Sequence, residues 1–196
     1  TENGTFIING IERAVVNQIV RSPGVFFSAE IEPTSGRILH TVELRPIRGS
    51  WLEVMISKND IISVKIDRHR KIPATTLLRA LGYADDDSII KLFADVNTDT
   101  AHDYIASTLS RDPAKNRAEA LIEIYQKMRP GEPAVLENAE KFLFELFFDT
   151  RRYDLGKVGR YKLNRRLNQN VENNKNGWVL TKEDIIASLK YLVNLK

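Results

Sequence analysis

The sequence predicts an α+β chain, with N-terminal antiparallel strands followed by a mostly helical second half, and three observations carry that prediction. Asn9-Gly10 lies between two apolar runs, Phe6-Ile7-Ile8 and the stretch around Val15-Val16. Asn-Gly in that setting is the strongest short-range hairpin signal, because a type I′ turn needs positive φ at both central residues. Apolar and polar side chains then alternate through Arg37–Arg45 and again through Ile62–Ile66, the period of half-buried strands. At Pro73 the spacing changes to that of a helix, and the chain is mostly helical from there on. Strands first and helices after is the α+β order.

Each element follows in turn. The second strand of the hairpin is expected to run on into Arg21-Ser22-Pro23-Gly24, where proline cannot donate to a ladder and glycine can take positive φ, so the chain turns. Val25-Phe26-Phe27 continues as strand, Glu32 to Gly36 is a polar loop, and Pro46 and Gly49 bound the next turn. Trp51–Ile56 and Ile62–Ile66 pair across Lys58-Asn59-Asp60, with Ile62, Val64 and Ile66 on one face and Ser63, Lys65 and Asp67 on the other. A helix starts at Pro73 and stops at Gly82. Shorter helices are expected over Asp87–Phe93 and Thr100–Leu109. Asp112-Pro113 reads as an N-cap and first helical position for a helix reaching Met128. Val135–Phe148 is apolar around so much of its circumference that it reads as the central core helix. Asp154–Leu167 carries Leu155, Val158, Tyr161 and Leu163 among basic residues, and Asn168–Gly177 is a loop. Thr181 with Asp184 three residues on is a capping box, with Leu180 and Ile185 spaced as a hydrophobic staple.

At 196 residues the chain fits one domain, or one and part of another. It begins without methionine and ends on a helical pattern with no stop signal, so it reads as a piece of something longer. No apolar run approaches the roughly 18 residues of a membrane span, and no signal peptide precedes the first strand. Cysteine is absent, which excludes disulfides, thiol nucleophiles and cysteine-based metal sites and is compatible with a cytoplasmic location.

Catalysis has little to stand on. His40, His69 and His102 lie on different elements without metal-ligand spacing, and Gly156 and Gly159 lack the spacing and preceding strand of a phosphate loop. Asp85-Asp86-Asp87 reads either as a divalent-ion site or, more ordinarily, as a carboxylate-rich helix N-terminus. Basic clusters are the stronger signal. Asp67-Arg68-His69-Arg70-Lys71 follows the last strand, while Arg151-Arg152-Tyr153 and Arg160-Tyr161-Lys162 through Arg165-Arg166 interleave cations with aromatics. Such clusters serve either as solvated faces or as phosphate contacts, where aromatic and guanidinium planes stack on unpaired bases. Trp51, just after Gly49-Ser50, is either a core residue or a stacking platform at a strand's exposed end.

Gly4 to Gly10 with Glu12-Arg13, then Arg21-Ser22-Pro23-Gly24-Val25-Phe26, resembles the β subunit of bacterial DNA-directed RNA polymerase. The resemblance continues through Arg48 to Leu52, Ile66-Asp67-Arg68 with Arg70 to Pro73, Leu77 to Gly82, Met128 to Pro133, Arg152 to Leu155 and Val158-Gly159-Arg160. It implies that residues 1–20 form a strand hairpin at the boundary with the protrusion domain. Residues 21–196 would be the lobe, β-rich over 21–72 and helical over 73–196. The insertion that some lineages carry after the helix ending near Gly82 is expected to be missing.

The same resemblance implies a non-catalytic module. It would contact the non-template strand and the downstream edge of the transcription bubble, within an assembly of β′, α, ω and sigma subunits. The catalytic Mg²⁺ is held by β′, so no cofactor is expected in this piece, which alone should be inactive as a nucleotidyltransferase. Arg21 and Trp51 correspond to residues that contact the displaced strand, the indole stacking on a base. Asp67 corresponds to a residue in a pocket for a flipped guanine, whose N1 and N2 donors a carboxylate can accept. Arg68, Arg70 and Lys71 join them as DNA-binding candidates, and Arg160, Lys162 and Arg165 as general duplex contacts. Val16 matches a position beside the rifamycin site, and His69 stands where many relatives carry Arg or Lys. The alternative is that the piece is chiefly a docking surface for transcription factors. An independent nucleotide-processing domain is the enzyme-class rival.

Overall fold

The Asn9-Gly10 turn forms as its residues predict: they take φ of 52° and 76° and join β1 (Phe6–Ile8) to β2 (Ile11–Arg13). These and all other features come from a computed structural model that describes residues 1–99 and 101–195. Pairing ends sooner than expected. Phe6 stands opposite Arg13, so Val15 would need Gly4 as its partner, and Gly4 is already turned at φ 73°. Residues 14–23 therefore lie in neither strand nor helix, with Val15 and Val16 exposed, and the strand does not run on to Arg21.

From Gly24 the chain builds a five-stranded antiparallel meander: β3 (Gly24–Ile31), β4 (Ile38–Arg45), β5 (Leu52–Ile56), β6 (Ile62–Ile66) and β7 (Ile72–Pro73), paired in chain order. Alternation sends Val42, Leu44, Leu52, Val54, Val64 and Ile66 to one face, where all are buried. Each such side chain contributes about 1.5–3 kcal/mol on leaving water.

Among the described residues seven helices follow, α1 (Ala74–Leu81), α2 (Asp86–Phe93), α3 (Tyr104–Leu109), α4 (Arg117–Met128), α5 (Leu136–Phe147), α6 (Gly156–Leu167) and α7 (Lys182–Asn194). Their boundaries correct several expectations. Pro73 ends β7 and caps α1 from outside its first turn. α3 begins after Asp103, whose carboxylate accepts from the Ala106 N–H at 2.9 Å; Thr100, the expected start, lies outside the described residues. α4 starts at Arg117, capped by Asn116, because Asp112 has a different partner. Asp112 turns inward to the buried Arg79, whose Nε donates to it at 3.0 Å, and also accepts from the Thr76 hydroxyl at 2.7 Å.

The central helix is α1 rather than α5. Every residue of α1 is buried, packed against β6, β7, α3 and α4, whereas α5 buries only Ala139, Leu143 and Phe147. The apolar circumference of α5 is left partly outward, with Phe144 55% exposed. At the C-terminal end the Thr181–Asp184 capping box forms on α7, and Leu180 and Ile185 are both buried. Helix α6 packs on β3 and α7, and α7 also packs on β4.

Candidate nucleic-acid interface

The face of the sheet opposite the core is built by the same alternation. Leu44 pairs with Leu52 and Leu52 with Ile66, so continuing the register by one residue sets Arg45 beside Trp51 and Trp51 opposite Asp67. Phe26 stands opposite Glu43 one strand further out. Aromatic rings and guanidiniums thus collect on the outer face by register. The Arg45 guanidinium lies 4.6 Å from the centre of the Trp51 ring and that of Arg68 lies 5.4 Å from it. Arg21 and Arg45 each sit 6.0 Å from the centre of the Phe26 ring. These are cation–π distances.

Trp51 is fixed from two directions. Upstream, the Ile47 and Asp154 N–H groups complete backbone bonds of 2.8 Å between the β4–β5 loop and the start of α6. Gly49 is needed in that loop, because a Cβ there would come within 2.8 Å of the Tyr153 ring. Across the ladder, the Asp67 N–H donates to the Trp51 carbonyl at 3.0 Å, and Asp67 Oδ1 accepts from the Trp51 N–H at 2.7 Å. One carboxylate oxygen therefore holds the backbone in register, while Oδ2 accepts no hydrogen bond among the described residues.

Asp67 and Arg68 form a tight turn closed by the His69 N–H to the Ile66 carbonyl at 2.9 Å. Both central residues take positive φ, 47° and 62°. Glycine and asparagine usually supply that geometry, and other side chains adopt it at a cost of order 1–3 kcal/mol. The strained turn aims Arg68 at the indole. The two guanidiniums at that ring are not equivalent. Arg45 is half-buried and its Nε donates to Glu43 at 2.7 Å, whereas Arg68 is exposed and makes no ion pair among the described residues. A planar group arriving at the indole would displace Arg68 or stack upon it.

Of the residues singled out in the sequence, the fold brings Arg21, Trp51, Asp67 and Arg68 into one array. Arg70 lines a separate shallow groove with Glu123, Gln126 and Lys127 of α4, and Lys71 is exposed just before β7. Val16 is exposed in the irregular segment. Lys162 and Arg165 are exposed on the outer face of α6. That face is brought to the Pro23-Gly24 corner by two glycines: a Cβ on Gly159 would meet Pro23 at 3.1 Å, and one on Gly24 would meet Lys162 at 3.3 Å. The Lys162 amine donates to the Ser22 hydroxyl at 2.9 Å.

Arg160 is a correction. It is fully buried, its Nη1 donates to both oxygens of the buried Asp184 at 3.0 and 2.8 Å, and its other nitrogens donate to the Gly177 and Val179 carbonyls. It ties α6 to the loop before α7 and has no surface to offer a duplex. The Arg151-Arg152-Tyr153 cluster is split, its aromatic buried and its two arginines exposed but paired. Tyr153 is a core residue stacked edge-on to Phe147, and the arginines pair with Asp149 and Glu145. Burial pushes the Tyr153 phenol far above its ordinary value, so it stays neutral.

Phe26 and Arg45 belong to the array and were not picked out from the sequence. Their signal was the alternation itself. Once Leu44 and Leu52 are assigned inward, Arg45 and Trp51 must share the outer face.

Comparison with known proteins bears on this surface. Residues 21–196 match the family model described as RNA polymerase Rpb2, domain 2. The chain is 50% identical over 187 residues to the DNA-directed RNA polymerase subunit beta of Chloroflexus aggregans, covering 85% of this chain and 15% of that protein. It is 50% identical over 194 residues to the protein of the same name from Dehalococcoides mccartyi (98% and 15%), and 47% identical over 196 residues to that of Trichodesmium erythraeum (100% and 17%). The chain thus spans about a sixth of the length of these relatives. With the match running through the sheet, the array and every helix, the chain belongs to the RNA polymerase Rpb2, domain 2 family.

Proposed function

We propose that this chain is a non-catalytic module of a bacterial DNA-directed RNA polymerase β subunit, the lobe, and that its outer sheet face contacts unpaired DNA at the downstream edge of the transcription bubble. The observation that supports this most is the half-buried Trp51 ring on the outer sheet face, its backbone fixed by Asp67 and the free Arg68 guanidinium against it. Unpaired bases stack on such a ring at about 1–3 kcal/mol each, and duplex bases are already stacked on one another. Arg21 and Arg68 supply the positive charge that a phosphate backbone requires, whereas the charge of Arg45 is met by Glu43. Asp67 Oδ2 is the acceptor that a guanine edge would use, with Oδ1 engaged in holding Trp51. Catalytic chemistry would come from the rest of the polymerase, with Mg²⁺ held by the β′ subunit.

The test is base preference in a polymerase reconstituted with full-length β. Trp51→Ala is expected to weaken discrimination for guanine at the bubble edge by about 1–3 kcal/mol. Asp67→Asn, which keeps the Oδ1 acceptor but loses the charge, should weaken it with less disturbance of Trp51. Unchanged preference in both variants would refute the proposal. A docking role for transcription factors is favoured by a different feature, the exposed Val15, Val16, Ile19 and Val20. Salt separates the two: DNA contact weakens steeply with ionic strength and an apolar interface hardly responds.

A further inference from the structure

A second surface adjoins the array. Between β3 and α6 runs an open groove of about 700 Å³, floored by Val25, Phe26 and Phe27 and walled by Val158, Tyr161, Lys162, Arg165 and Arg166. Its volume suits a group of nucleotide size on the scale of known ligand sites. Three of its lining residues are cationic and none is acidic. Tyr161 and Val158 are large for a surface, yet they are 56% and 53% exposed. They point outward because α6 buries Gly159, Leu163 and Leu167 instead. The Arg166 guanidinium lies 5.3 Å from the Phe27 ring centre and 5.1 Å from that of Tyr191, which holds it beside the floor. Lys162 is steadied by Ser22, next to Arg21.

Phe26 is shared: it takes the Arg21 and Arg45 guanidiniums on the array and also lines the groove. We propose that this groove is a second binding site for single-stranded DNA, continuous with the Trp51 array through Phe26, with Tyr161 as a stacking platform and Lys162, Arg165 and Arg166 facing the backbone. The inference rests on the reading of the array as a DNA surface and extends it to residues that reading does not use. The exposed Tyr161 and Val158 on the wall, beside a half-buried aromatic floor, select unpaired bases over duplex, whose base faces are covered. Uncompensated cations select a polyanion over an apolar protein segment.

Photo-crosslinking in a polymerase reconstituted with full-length β tests it. Benzoylphenylalanine is placed singly at position 51 or at position 161, on a bubble template with labelled non-template strand. Both positions are expected to crosslink to the unpaired strand, and the yield at 161 should fall at least tenfold when the template is fully duplex. In the same enzyme, Lys162→Glu with Arg165→Glu should lower the yield at 161 about tenfold while that at 51 changes less than twofold. Crosslinking at 51 but not at 161 would overturn the groove and leave the array standing. Crosslinking at neither would overturn both. A crosslink from 161 to a protein chain in place of DNA would overturn the groove in favour of docking. Position 161 is exposed, so loss of folding is not the expected result of substitution there, and crosslinking at 51 in the charge-reversed enzyme reports that its fold is intact.

Discussion

Removing Asp184 is expected to destabilise this chain more than removing any exposed ionic partner. Asp184 and Arg160 are both fully buried, joined by two contacts of 3.0 and 2.8 Å. Asp184→Ala leaves the Arg160 guanidinium charge held in the core with only two carbonyls to face it. Breaking a buried pair from one side in this way costs about 3–5 kcal/mol. The same carboxylate caps α7, accepting from the Thr181 N–H at 2.8 Å, and loss of a cap costs about 0.5–2 kcal/mol. The two losses share one side chain and overlap, so we expect about 4 kcal/mol in total, a large part of the roughly 5–15 kcal/mol that holds a domain folded. In a thermal melt this is a fall of roughly 8–16 °C for a chain of this size.

Two companions make the measurement decisive. Lys190→Ala removes a surface pair with Asp95, whose side chain is 61% exposed, and should cost less than about 1 kcal/mol. Replacing Arg160 by Met and Asp184 by Leu together leaves no orphan charge, so the double variant should be more stable than Asp184→Ala alone. Urea unfolding followed by far-UV circular dichroism reads all three. A loss below about 1.5 kcal/mol for Asp184→Ala, or a double variant no better than the single one, would refute the argument.

Two further outcomes follow from local geometry. Burial raises the Asp60 carboxyl, but hydrogen bonds from Arg37 at 2.7 Å and His102 at 2.9 Å outweigh it and hold the group below its ordinary 3.8. The stabilisation is therefore complete above pH 3.8 and is lost as pH falls through the lower folded value. Asp60→Asn, which tolerates the φ of 61° at that position, should flatten this acid limb in unfolding measured at pH 5 and pH 3; equal acid losses in both proteins would contradict it. Arg68→Gly should leave stability within about 1 kcal/mol, because relief of positive φ offsets the lost cation–π contact. It should still weaken crosslinking at position 51, and unchanged crosslinking would remove Arg68 from the DNA surface.

Much of the sheet was legible because each strand of the meander reports its own face: Ile62, Val64 and Ile66 alternate, and the buried face follows without reference to any other segment. The capping box at Thr181 is legible for the same reason, since donor and acceptor lie three residues apart. What could not be read were interactions whose partners are distant in sequence. Arg160 looks like its neighbours Lys162 and Arg165 until Asp184, 24 residues on, is packed against it. Asp112 followed by proline looks like a helix cap until Arg79, 33 residues earlier, draws it inward. The apolar excess of α5 was a true signal misassigned, because composition says how much of a helix is apolar and not how many faces the fold covers. Within the candidate site, Trp51 was already a candidate from its place after Gly49-Ser50, and the family resemblance supplied the roles read into it and Asp67. Arg45 and Phe26 required the register.

The division between structural and free arginines decides which surface can meet a polyanion. Arg79 and Arg160 carry as much charge as Arg68 or Arg165, yet each is enclosed with a carboxylate, so neither projects a field that a strand outside would feel. The cations left exposed and without an ion pair among the described residues include Arg21, Arg68 and Arg165. They converge because the corner at Pro23-Gly24 sits directly on α6. Gly159 lets Pro23 approach the helix and Gly24 lets the strand pass Lys162. A side chain at Gly159 would press on Pro23 and one at Gly24 would be strained at φ 141° and crowd Lys162, at the place where the array and the groove share Phe26. The small residues at this corner therefore set the continuity of the two surfaces, while the arginines set their charge.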